Sequence, residues 1–569
     1  MQSTFNTTSG QWFSVLRGLG AILVTAGLLF AAGCDSNNGG MEDPDPDPDP
    51  GPGNGGVTVD NPNYDTTDAG EIVVSDDADG RGISYLDADS NLVEDVTWTS
   101  DFVYNLDNFV FVDEGETLTI EPGTIIQGLP GNGADAAALI VTRGGTIQAD
   151  GEREDGTIDP IIFTADGDDD GEGLGRDVKG RWGGVILLGD APINSQPPTT
   201  QIEGIPDEVG GDRIRYGAEN GDFDPNHNVG TFRYVSIRHT GTALQGGDEI
   251  QGLTLGGVGN GSTIEYVESY ASDDDGFEWF GGTVNTKYLI SAYASDDSYD
   301  IDEGWTGGNQ FWLAVHGAEE AGRIGEHDGG TDPEDGQPFA ASVVSNATYI
   351  GIGPGVSTPD VTGDGENPFL MQRDNNATSY YNTIFMGGRT NAGLQIEDLG
   401  SGEDAANRWD PSGDGTGDGG VLRHENNLWF NIGPDFSDQT EFEDLIQLTA
   451  EDMDDDGELE LIGDRGEAMR GNLANYLRDN GNQVLNTDEL PITSITRAQG
   501  AEGPDGAVQS FDPTPAGPAT SGASAPGEFG TGGENSSWTE VDFRGAFGAG
   551  ASWNLSDWAL VAQDGTIQQ

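Results

Sequence analysis

Tyr270-Ala-Ser-Asp-Asp274 recurs in the sequence as Tyr293-Ala-Ser-Asp-Asp297, 23 residues further along. Before each copy stands a strand-length run rich in β-branched and aromatic residues, Glu265-Tyr-Val-Glu-Ser269 and Lys287-Tyr-Leu-Ile-Ser291. Repeats of this length, in which strands alternate with turns and helical periodicity is almost absent, are typical of stacked coils in a solenoid. The stretch therefore predicts an all-β chain wound as a parallel β-helix.

The repeat extends outward from this stretch in both directions. Gly-Thr-Ile triplets begin at Gly123 and Gly145, which are 22 residues apart. The Leu-x-x-Leu-x-Leu pattern of a leucine-rich repeat does not occur, and a β-propeller blade would need a repeat of about 40 residues. Weaker copies of the strand run follow at Thr348-Tyr-Ile350, Ser379-Tyr-Tyr-Asn-Thr-Ile-Phe385 and Asn426-Asn-Leu-Trp-Phe430.

Three segments carry a resemblance to a known family. They are Leu253-Thr-Leu-Gly-Gly-Val-Gly-Asn-Gly-Ser-Thr-Ile-Glu-Tyr-Val267, Asp273-Asp-Asp-Gly-Phe-Glu-Trp-Phe-Gly-Gly-Thr-Val284 and Asp296-Asp-Ser-Tyr-Asp-Ile-Asp-Glu-Gly-Trp305. They resemble the core of bacterial secreted or surface lipoproteins with a pectate-lyase-like β-helix. Asp542-Phe-Arg-Gly-Ala-Phe547, with Trp553 and Trp558, is similar to that family's C-terminal element. The resemblance implies a right-handed, pectin-lyase-like solenoid over about 100 to 560 with a small C-terminal helical and aromatic cap. It implies an envelope or extracellular setting and no established reaction.

The N-terminus predicts a lipoprotein signal peptide over residues 1–33. Arg17 precedes an apolar stretch that is too short to span a bilayer, and the stretch ends in Leu29-Phe-Ala-Ala-Gly-Cys34. This ending resembles the lipobox of bacterial lipoproteins, and Cys34 is the only cysteine in the chain. We therefore expect Cys34 to carry the lipid that attaches the protein to a membrane. A plain secretory signal with an incidental cysteine is the alternative.

The charge balance limits the partners. The chain has 101 acidic residues against 22 basic ones, for a formal net charge of −79. Such a surface repels nucleic acid and anionic lipid, and its self-repulsion is best tolerated in concentrated salt, where the screening length falls to roughly 3 Å at 1 M. Composition therefore predicts adaptation to high salt, and it makes most acidic clusters solvated surface rather than ligands.

Composition also divides the chain into segments. Asp43-Pro-Asp-Pro-Asp-Pro-Asp-Pro50 lies in a linker predicted over 34–90, where alternating proline favours extended backbone. We expect the β-helix over 91–435 and an α-containing extension or cap over 436–510. The extension holds a helix with Met469, Leu473, Tyr476 and Leu477 on one face. A flexible loop is expected over 511–535 and a C-terminal aromatic element over 536–569.

The repeated acidic turn is the most informative candidate site. If Ala271 and Ala294 are equivalent, Asp273 lies over Asp296 and Asp274 over Asp297 at the strand spacing of ~4.8 Å. Two carboxylates at that distance repel by about 3.5 kcal/mol at an effective dielectric of 20. A hard cation with several oxygen ligands would offset this repulsion, so the turn predicts a Ca²⁺ site. Its candidate ligands are Asp273, Asp274, Asp275, Asp296, Asp297, Asp300 and Asp302. Divergent loops, or exposed acids screened by salt, are the alternative.

A second acidic run is a weaker candidate for Ca²⁺. Asp452, Asp454 and Asp456 have the opening ligand spacing of an EF-hand loop, followed by a glycine. The twelfth position is Gly463, where the bidentate glutamate belongs. Weak Ca²⁺ binding is therefore the most that this run predicts.

Catalytic residues are harder to assign. The fold analogy suggests a Ca²⁺-dependent polysaccharide lyase with Arg238 or His239 as the basic group. A glycosidase with Glu278 and Asp302 as its carboxyl pair is a further possibility. Fold does not imply function, and Arg238 would serve equally as a partner for Glu268. Trp279, Trp305 and Trp312, with Tyr270 and Tyr293, would form either a sugar-stacking platform or part of the core.

The sequence therefore favours a lipid-anchored envelope protein whose β-helix binds surface partners without catalysis. Glycans or other envelope proteins are the expected partners, and a Ca²⁺-dependent carbohydrate-active enzyme is the alternative. Asp35 directly after Cys34 means inner-membrane retention under one sorting rule, whereas acidic residues there mark surface export in other bacteria. We expect the outer membrane, with the periplasmic face of the inner membrane as the alternative.

Overall fold

A computed structural model describes most of the chain between residues 64 and 568. The chain divides into Met1–Asn54 and Gly55–Gln569, and every described residue belongs to the second unit. The signal peptide, Cys34 and the Asp-Pro repeat lie outside the described residues, as do Asp454 and Asp456. Within 64–568, the undescribed residues are 68–69, 76–81, 87–91, 170, 245–249, 318–320, 331–332, 334, 353–367, 389–391, 399–403, 413–414, 418, 433–440, 454–458, 461–462, 499–505, 528–537 and 549–552.

Two large sheets of parallel strands form the solenoid. The narrow sheet has eleven strands, and only its last pair is antiparallel. Its strands are Phe109–Val112, Ala138–Val141, Val185–Leu188, Leu253–Gly256, Phe277–Phe280, Tyr299–Asp302, Gly325–Asp328, Leu370–Arg373, Leu394–Glu397, Ile446–Met453 and Leu459–Glu460.

The wide sheet has nineteen strands, and its first pair is antiparallel. They are Tyr64–Thr66, Ile72–Ser75, Asp95–Trp98, Val103–Asp107, Thr117–Ile120, Ile125–Gly128, Thr146–Asp150, Ile161–Ala165, Gly230–Arg238, Thr263–Tyr270, Thr286–Ala292, Gly308–Val315, Val343–Ser345, Thr348–Ile350, Ser379–Tyr381, Ile384–Met386, His424–Glu425, Leu428–Phe430 and Gln483–Leu485.

Smaller elements complete the described part. Three antiparallel pairs join Tyr85–Leu86 to Leu92–Val93, Thr199–Gln201 to Arg215–Gly217, and Ile492–Arg497 to Val508–Pro515. The α-helices are Asp207–Gly210, Ala405–Trp409, Gly463–Asp479, Leu555–Trp558 and Leu560–Gln563. Among the described residues, no helix is long and apolar enough to cross a membrane.

The chain passes alternately through the two sheets, so that each coil stacks on the one before it. In the centre of the solenoid, Tyr270 pairs with Ala292 in the wide sheet and Phe277 pairs with Tyr299 in the narrow sheet. Both pairs are 22 residues apart, which is the length of one coil here. The predicted all-β parallel solenoid is therefore confirmed.

The interior of the central coils is aromatic. Trp279 stacks on Trp305 with ring centroids 4.4 Å apart and on Trp312 at 5.3 Å. All three indoles are fully buried, and Tyr270 and Tyr293 are buried on the other side of the wide sheet. Stacked rings at these distances add about 0.5–1.5 kcal/mol per pair beyond their buried area. All five side chains are buried in packed clusters and cannot stack on a sugar, so the sugar-stacking platform is wrong.

The wide-sheet strands turn a corner at a residue in the left-handed region. Tyr266 and Tyr288 occupy this position with φ of 54° and 59°, and Asn346 and Asn382 occupy it in later coils with φ of 57° and 55°. Asparagine enters this region more readily than other non-glycine residues, because its short side chain hydrogen-bonds locally. Where tyrosine occupies this position, stacking of the rings offsets the cost of the left-handed backbone, and the ring centroids of Tyr266 and Tyr288 are 4.2 Å apart. The corner thus forms a continuous ladder of side chains.

The C-terminal element packs against this ladder. The Nδ2 of Asn346 donates to the Phe543 carbonyl at 2.8 Å, and that of Asn382 donates to the Ser524 carbonyl at 2.9 Å. Trp558 lies edge-on to the ring of Tyr266 at 6.1 Å between centroids. The predicted aromatic cap is therefore a segment that covers the outer side of the wide sheet.

The solenoid is longer than the predicted interval 91–435. Ile72–Ser75 already pairs with Val103–Asp107, so the first strands lie inside the predicted linker. At the other end Gln483–Leu485 still pairs with Leu428–Phe430. The predicted loop over 511–535 begins within a strand that ends at Pro515. The first strands were not predicted because the segment that contains them has few apolar residues. The last strand was not predicted because a long interval separates it from the coil before it.

The predicted helix in the extension lies within Gly463–Asp479. Leu473 and Leu477 are buried in the main core, with Met469 and Tyr476 packed against it. The helix thus covers apolar side chains of the final coils.

Arg238 and Glu268 form a buried polar pair beneath the C-terminal element. The Nε of Arg238 donates to the Ser236 hydroxyl at 2.8 Å, and this hydroxyl donates to Glu268 at 2.6 Å. Glu268 also accepts the backbone N–H groups of Leu560 and Val561 at 2.8 and 2.9 Å. Arg238 is 0% exposed. Its role is therefore structural.

Replacing Glu268→Gln should lower the free energy of unfolding by about 3–5 kcal/mol, because it removes one of the two carboxylates near the buried Arg238 guanidinium and leaves Asp168, 4.0 Å from its Nη1, as the other. The double variant Glu268→Gln/Arg238→Met should recover part of that loss, since neither member of the pair then carries a charge and Asp168 keeps its hydrogen bonds from the Thr164 hydroxyl and the Gly173 N–H. Chemical denaturation in high salt measures both. A double variant that is less stable than the single variant would contradict the pairing.

Candidate metal centre

The candidate site begins on the outer face of the narrow sheet. Alternation along the strands sends Trp279 and Ile301 into the core and Glu278 and Asp300 to the opposite face. Glu278 pairs directly with Asp300, and Asp300 pairs with Glu326 of the next strand. Three consecutive strands therefore present stacked carboxylates.

The acidic turn leads into these strands with a register that corrects the predicted pairing. Both flanking strands are paired at an interval of 22 residues, whereas the repeated pentapeptide suggested 23. Asp274 is consequently equivalent to Asp296, and Asp275 to Asp297. Asp273 is equivalent to Ser295, whose hydroxyl donates to it at 3.1 Å. The predicted stacking of Asp273 over Asp296 and Asp274 over Asp297 is wrong by one residue.

Two groups of carboxylates come close enough to hold a cation. The outer group consists of Asp274, Asp275 and Asp296, and the inner group consists of Asp275, Glu278 and Asp300. In each group, one ligand oxygen from every residue lies within 4.8 Å of the others. The structure thus brings together four of the seven predicted ligands and adds Glu278.

The other three predicted ligands lie outside both groups. Asp297 accepts the backbone N–H of Arg323, and the Arg323 guanidinium lies 3.6 Å from its other oxygen. Asp302 is opposite Phe280 on the outer face of the sheet, and Asp273 is bonded to Ser295. Arg323 therefore offsets part of the charge of Asp297, although burial and then Glu326 still raise the pKa of that carboxyl well above its usual range.

Buried oxygen atoms in the two groups have no hydrogen-bond partner. Glu278 is only 5% exposed, and its Oε2 is buried without a donor. The Oδ1 of Asp296 is also buried without a donor. A buried carboxylate oxygen without a hydrogen-bond partner destabilises the folded state, because it loses its hydration and gains no bond in return. A cation bound in these groups would give the carboxylates of Glu278 and Asp296 a partner.

The electrostatics favour a cation at the same place. Burial, and then the surrounding carboxylates, raises the pKa of Asp275, Glu278 and Asp300 well above the usual range. The nearby charges that act most strongly on all three are negative. The donors are all carboxylate oxygens, which suit hard divalent ions such as Ca²⁺ better than zinc or copper.

A long insertion forms one rim of the site. Residues 189–229 separate a strand of the narrow sheet from the next strand of the wide sheet, and Ile202, Ile205 and Tyr216 pack on apolar outer side chains of the first coils. The Nε2 of Gln251 donates both to Glu203 of this insertion, at 3.3 Å, and to Asp274, at 3.4 Å. The insertion therefore borders the acidic turn.

The predicted basic pair does not reach this face. Arg238 is enclosed beneath the C-terminal element, and the Nδ1 of His239 lies 2.6 Å from the Val178 carbonyl. The Nε2 of His239 accepts the Leu174 N–H at 3.1 Å, and burial lowers the pKa of the ring to about 4. Both side chains are committed to structural contacts, so neither is a base for a reaction at the acidic face.

Glu303 is a residue near this face that the sequence did not single out. It is 9% exposed, and burial together with Asp302 raises its pKa to about 7. A glutamate that follows a strand carries no distinguishing sequence signal, because burial by the insertion 189–229 is not visible in its own neighbours. Asp452, of the weaker candidate, lies in the strand Ile446–Met453.

One family of proteins matches the chain. A family model described as a pectate-lyase like beta helix domain matches residues 90–377, about half of the 569 residues. The matched part includes the acidic turn and the inner and outer groups. No curated protein and no solved structure matches the chain.

In cation-free buffer near pH 7.5, Asp275→Asn should raise the free energy of unfolding by about 1–3 kcal/mol. The reason is that a carboxyl whose pKa is raised on folding contributes stability only at low pH and loses it as the pH rises through the folded pKa. Added Ca²⁺ should reverse the order, so that the wild type becomes the more stable protein.

Asp273→Asn is the matched control, because it lies in the same turn but outside both groups, and it should change little in either buffer. Denaturant midpoints in Ca²⁺ and in chelator, at one high NaCl concentration, measure the effect. A variant that is less stable than the wild type in chelator would contradict the electrostatic account.

Proposed function

The chain belongs to the family of pectate-lyase-like β-helix domains, and on this premise we propose that it is a lipid-anchored envelope protein that binds surface partners without catalysing a reaction. Its β-helix holds Ca²⁺ at the acidic turn, and the ion mediates contact with anionic glycans or acidic envelope proteins. The observation that carries the proposal is the buried, unpartnered oxygen of Glu278 among Asp275 and Asp300.

The charge of the protein supports a bridging role for the cation. At a net charge of −79, an anionic partner is repelled from the face unless positive charge lies between the two surfaces. Ca²⁺ takes six to eight oxygen ligands, whereas each group supplies three carboxylates, so coordination positions remain for another molecule.

Arg323 and Arg373 lie on this face, and their environment argues against either of them as a lyase base. Arg373 is paired with Asp328 at 2.6 Å and with Glu326 at 2.9 Å. Arg323 is paired with Asp297 and Glu326, and the pKa of both guanidinium groups is raised by these carboxylates. A general base works best with a pKa near the working pH, which these groups do not have.

Lipid attachment through Cys34 gives the protein its place in the envelope. On this proposal, the Asp-Pro repeat of residues 43–50, whose composition favours extended backbone, links the lipidated cysteine to the β-helix. One acyl-glyceryl cysteine with more than one chain anchors stably, since each buried CH₂ contributes about 0.8 kcal/mol. We place this anchor in the outer membrane.

Ca²⁺-dependent glycan binding is the test of the proposed function. The wild type should bind immobilised acidic polysaccharides in high NaCl with Ca²⁺, and chelator should lower the bound amount at least tenfold. Glu278→Gln should bind as weakly as the chelated protein, whereas Asp273→Asn should bind like the wild type. Ultraviolet absorbance of the unbound fraction monitors unsaturated uronate. If the amount of unsaturated uronate increases with time, the protein is a lyase and the proposal of binding without catalysis is wrong.

Cell fractionation tests the anchor. The wild type should sediment with outer membranes and incorporate labelled fatty acid, whereas Cys34→Ser should lose the label and appear in the soluble fraction. The conservative Ala31→Leu, which strengthens the lipobox, should leave both properties unchanged. If the wild type incorporates no labelled fatty acid, Cys34 is not lipidated and the N-terminus is a plain secretory signal.

A further inference from the structure

We propose that His316, Arg497 and Lys179 form a binding site for an oxyanion that carries its own O–H group, as monohydrogen phosphate does. The site lies where the chain leaves the wide-sheet strand Gly308–Val315. It shares no residue with the carboxylate groups of the acidic turn and does not depend on Ca²⁺, so it goes beyond the proposed function.

Stacking of the coils fixes the position of His316. Its main-chain N–H donates to the Ile350 carbonyl at 2.9 Å, and the N–H of Tyr293 donates in the same way to the Val315 carbonyl at 2.9 Å. Each of these residues follows directly on a strand of the wide sheet. Tyr293, His316 and Gly351 are therefore successive positions of one column, at the strand spacing of ~4.8 Å.

Two cationic side chains flank His316 along this column. The Nη2 of Arg497 donates to the carbonyl of Gly351, in the following coil, at 2.9 Å. The Nζ of Lys179 donates to the hydroxyl of Ser295, in the preceding coil, at 2.7 Å. His316 thus lies between a guanidinium on one side and an ammonium on the other.

One ring nitrogen of His316 has no partner. The residue is 3% exposed, and its Nε2 is buried without a hydrogen bond. The ring is hydrogen-bonded instead to the main chain of Arg323, which leaves Nδ1 as the donor, and burial lowers the pKa of the ring to about 4. A neutral imidazole that donates from Nδ1 is an acceptor at Nε2. This nitrogen therefore requires an O–H or N–H donor from a ligand.

Positive charge at this place is not balanced as it is elsewhere in the chain. The charged side chains that act on His316 are Arg497 and Lys179. Within the described part of the chain, no carboxylate pairs with Arg497, whose hydrogen bonds go to the carbonyls of Gly351 and Gly506. A guanidinium has five N–H donors, so donors remain for an oxyanion. With 101 acidic residues against 22 basic ones, composition does not explain the missing carboxylate.

The donors and the acceptor together specify the ligand. Arg497 and Lys179 suit the oxygen atoms of an anion, whereas Nε2 of His316 suits a hydroxyl group on the same molecule. Monohydrogen phosphate has both features, whereas sulfate has no O–H group near neutral pH. Sulfate would leave the buried Nε2 without a donor and bring an oxygen lone pair against it. The site should therefore prefer phosphate to sulfate.

Calorimetric titration in chelator tests the site in the absence of Ca²⁺. At pH 7.5 and one high NaCl concentration, the wild type should bind phosphate about tenfold more tightly than sulfate. Arg497→Gln should weaken phosphate binding by about tenfold, and His316→Phe should bind phosphate no better than sulfate. Arg153→Gln is the matched control, because Arg153 is an exposed arginine paired with Asp159, and it should bind phosphate like the wild type.

Three results would overturn the proposal. They are equal affinity of the wild type for phosphate and sulfate, unchanged phosphate binding by Arg497→Gln, and phosphate binding that occurs only when Ca²⁺ is added. The last result would place the anion on a bound Ca²⁺ and would leave the Ca²⁺ site of the proposed function intact. Circular dichroism verifies that each variant is folded. If Arg497→Gln does not fold, Lys179→Gln replaces it and should also weaken phosphate binding.

Discussion

Register between parallel coils is the constraint on which the rest of the structure depends. Pairing at a fixed interval places like residues over like residues, so one sequence pattern produces different energetics on the two faces of a sheet. Inside, Trp279 stacks with Trp305 and Trp312, which adds buried area and favourable ring contacts. Outside, Glu278 lies beside Asp300, and Asp300 beside Glu326, which adds repulsion. The interior stacking fixes the distance between the exterior carboxylates, so the acidic face cannot relax by moving apart.

The fold follows from the sequence because repetition is a property that the chain shows directly. Strand runs, turn residues and the spacing of the Gly-Thr-Ile triplets all indicate the solenoid, and the structure and the family match agree. The site was predictable only in part. The repeated pentapeptide at Tyr270 and Tyr293 is a local likeness that differs by one residue from the pairing of the backbone, where Tyr270 lies opposite Ala292. A one-residue error exchanges stacking partners, which is why the sequence did not indicate Glu278 as a candidate ligand.

Long-range contacts account for the other differences. Arg238 and His239 looked available because their sequence neighbours are strand residues, yet the C-terminal element and the segment before Trp182 bury them. No residue within ten positions of Arg238 indicates that Glu268, the carboxylate near Arg238, also accepts the backbone N–H groups of Leu560 and Val561. The raised pKa of Glu303 could not be predicted for the same reason, because it depends on burial by the insertion 189–229. Such residues change from candidate catalysts to structural residues only when distant segments are placed over them.

Burial separates the candidate ligands from the rest of a very acidic surface. In 1 M salt, the screening length of roughly 3 Å is shorter than the strand spacing of ~4.8 Å, so exposed carboxylates on neighbouring coils interact weakly. Salt in the solvent cannot screen a group that the solvent does not reach. Glu278 and Asp275 are both more than nine-tenths buried, and neither is paired with an arginine as Asp297 and Asp328 are. Their repulsion can be relieved only by a proton or by an ion that enters the site, and near neutral pH a divalent ion delivers more positive charge to several carboxylates at once.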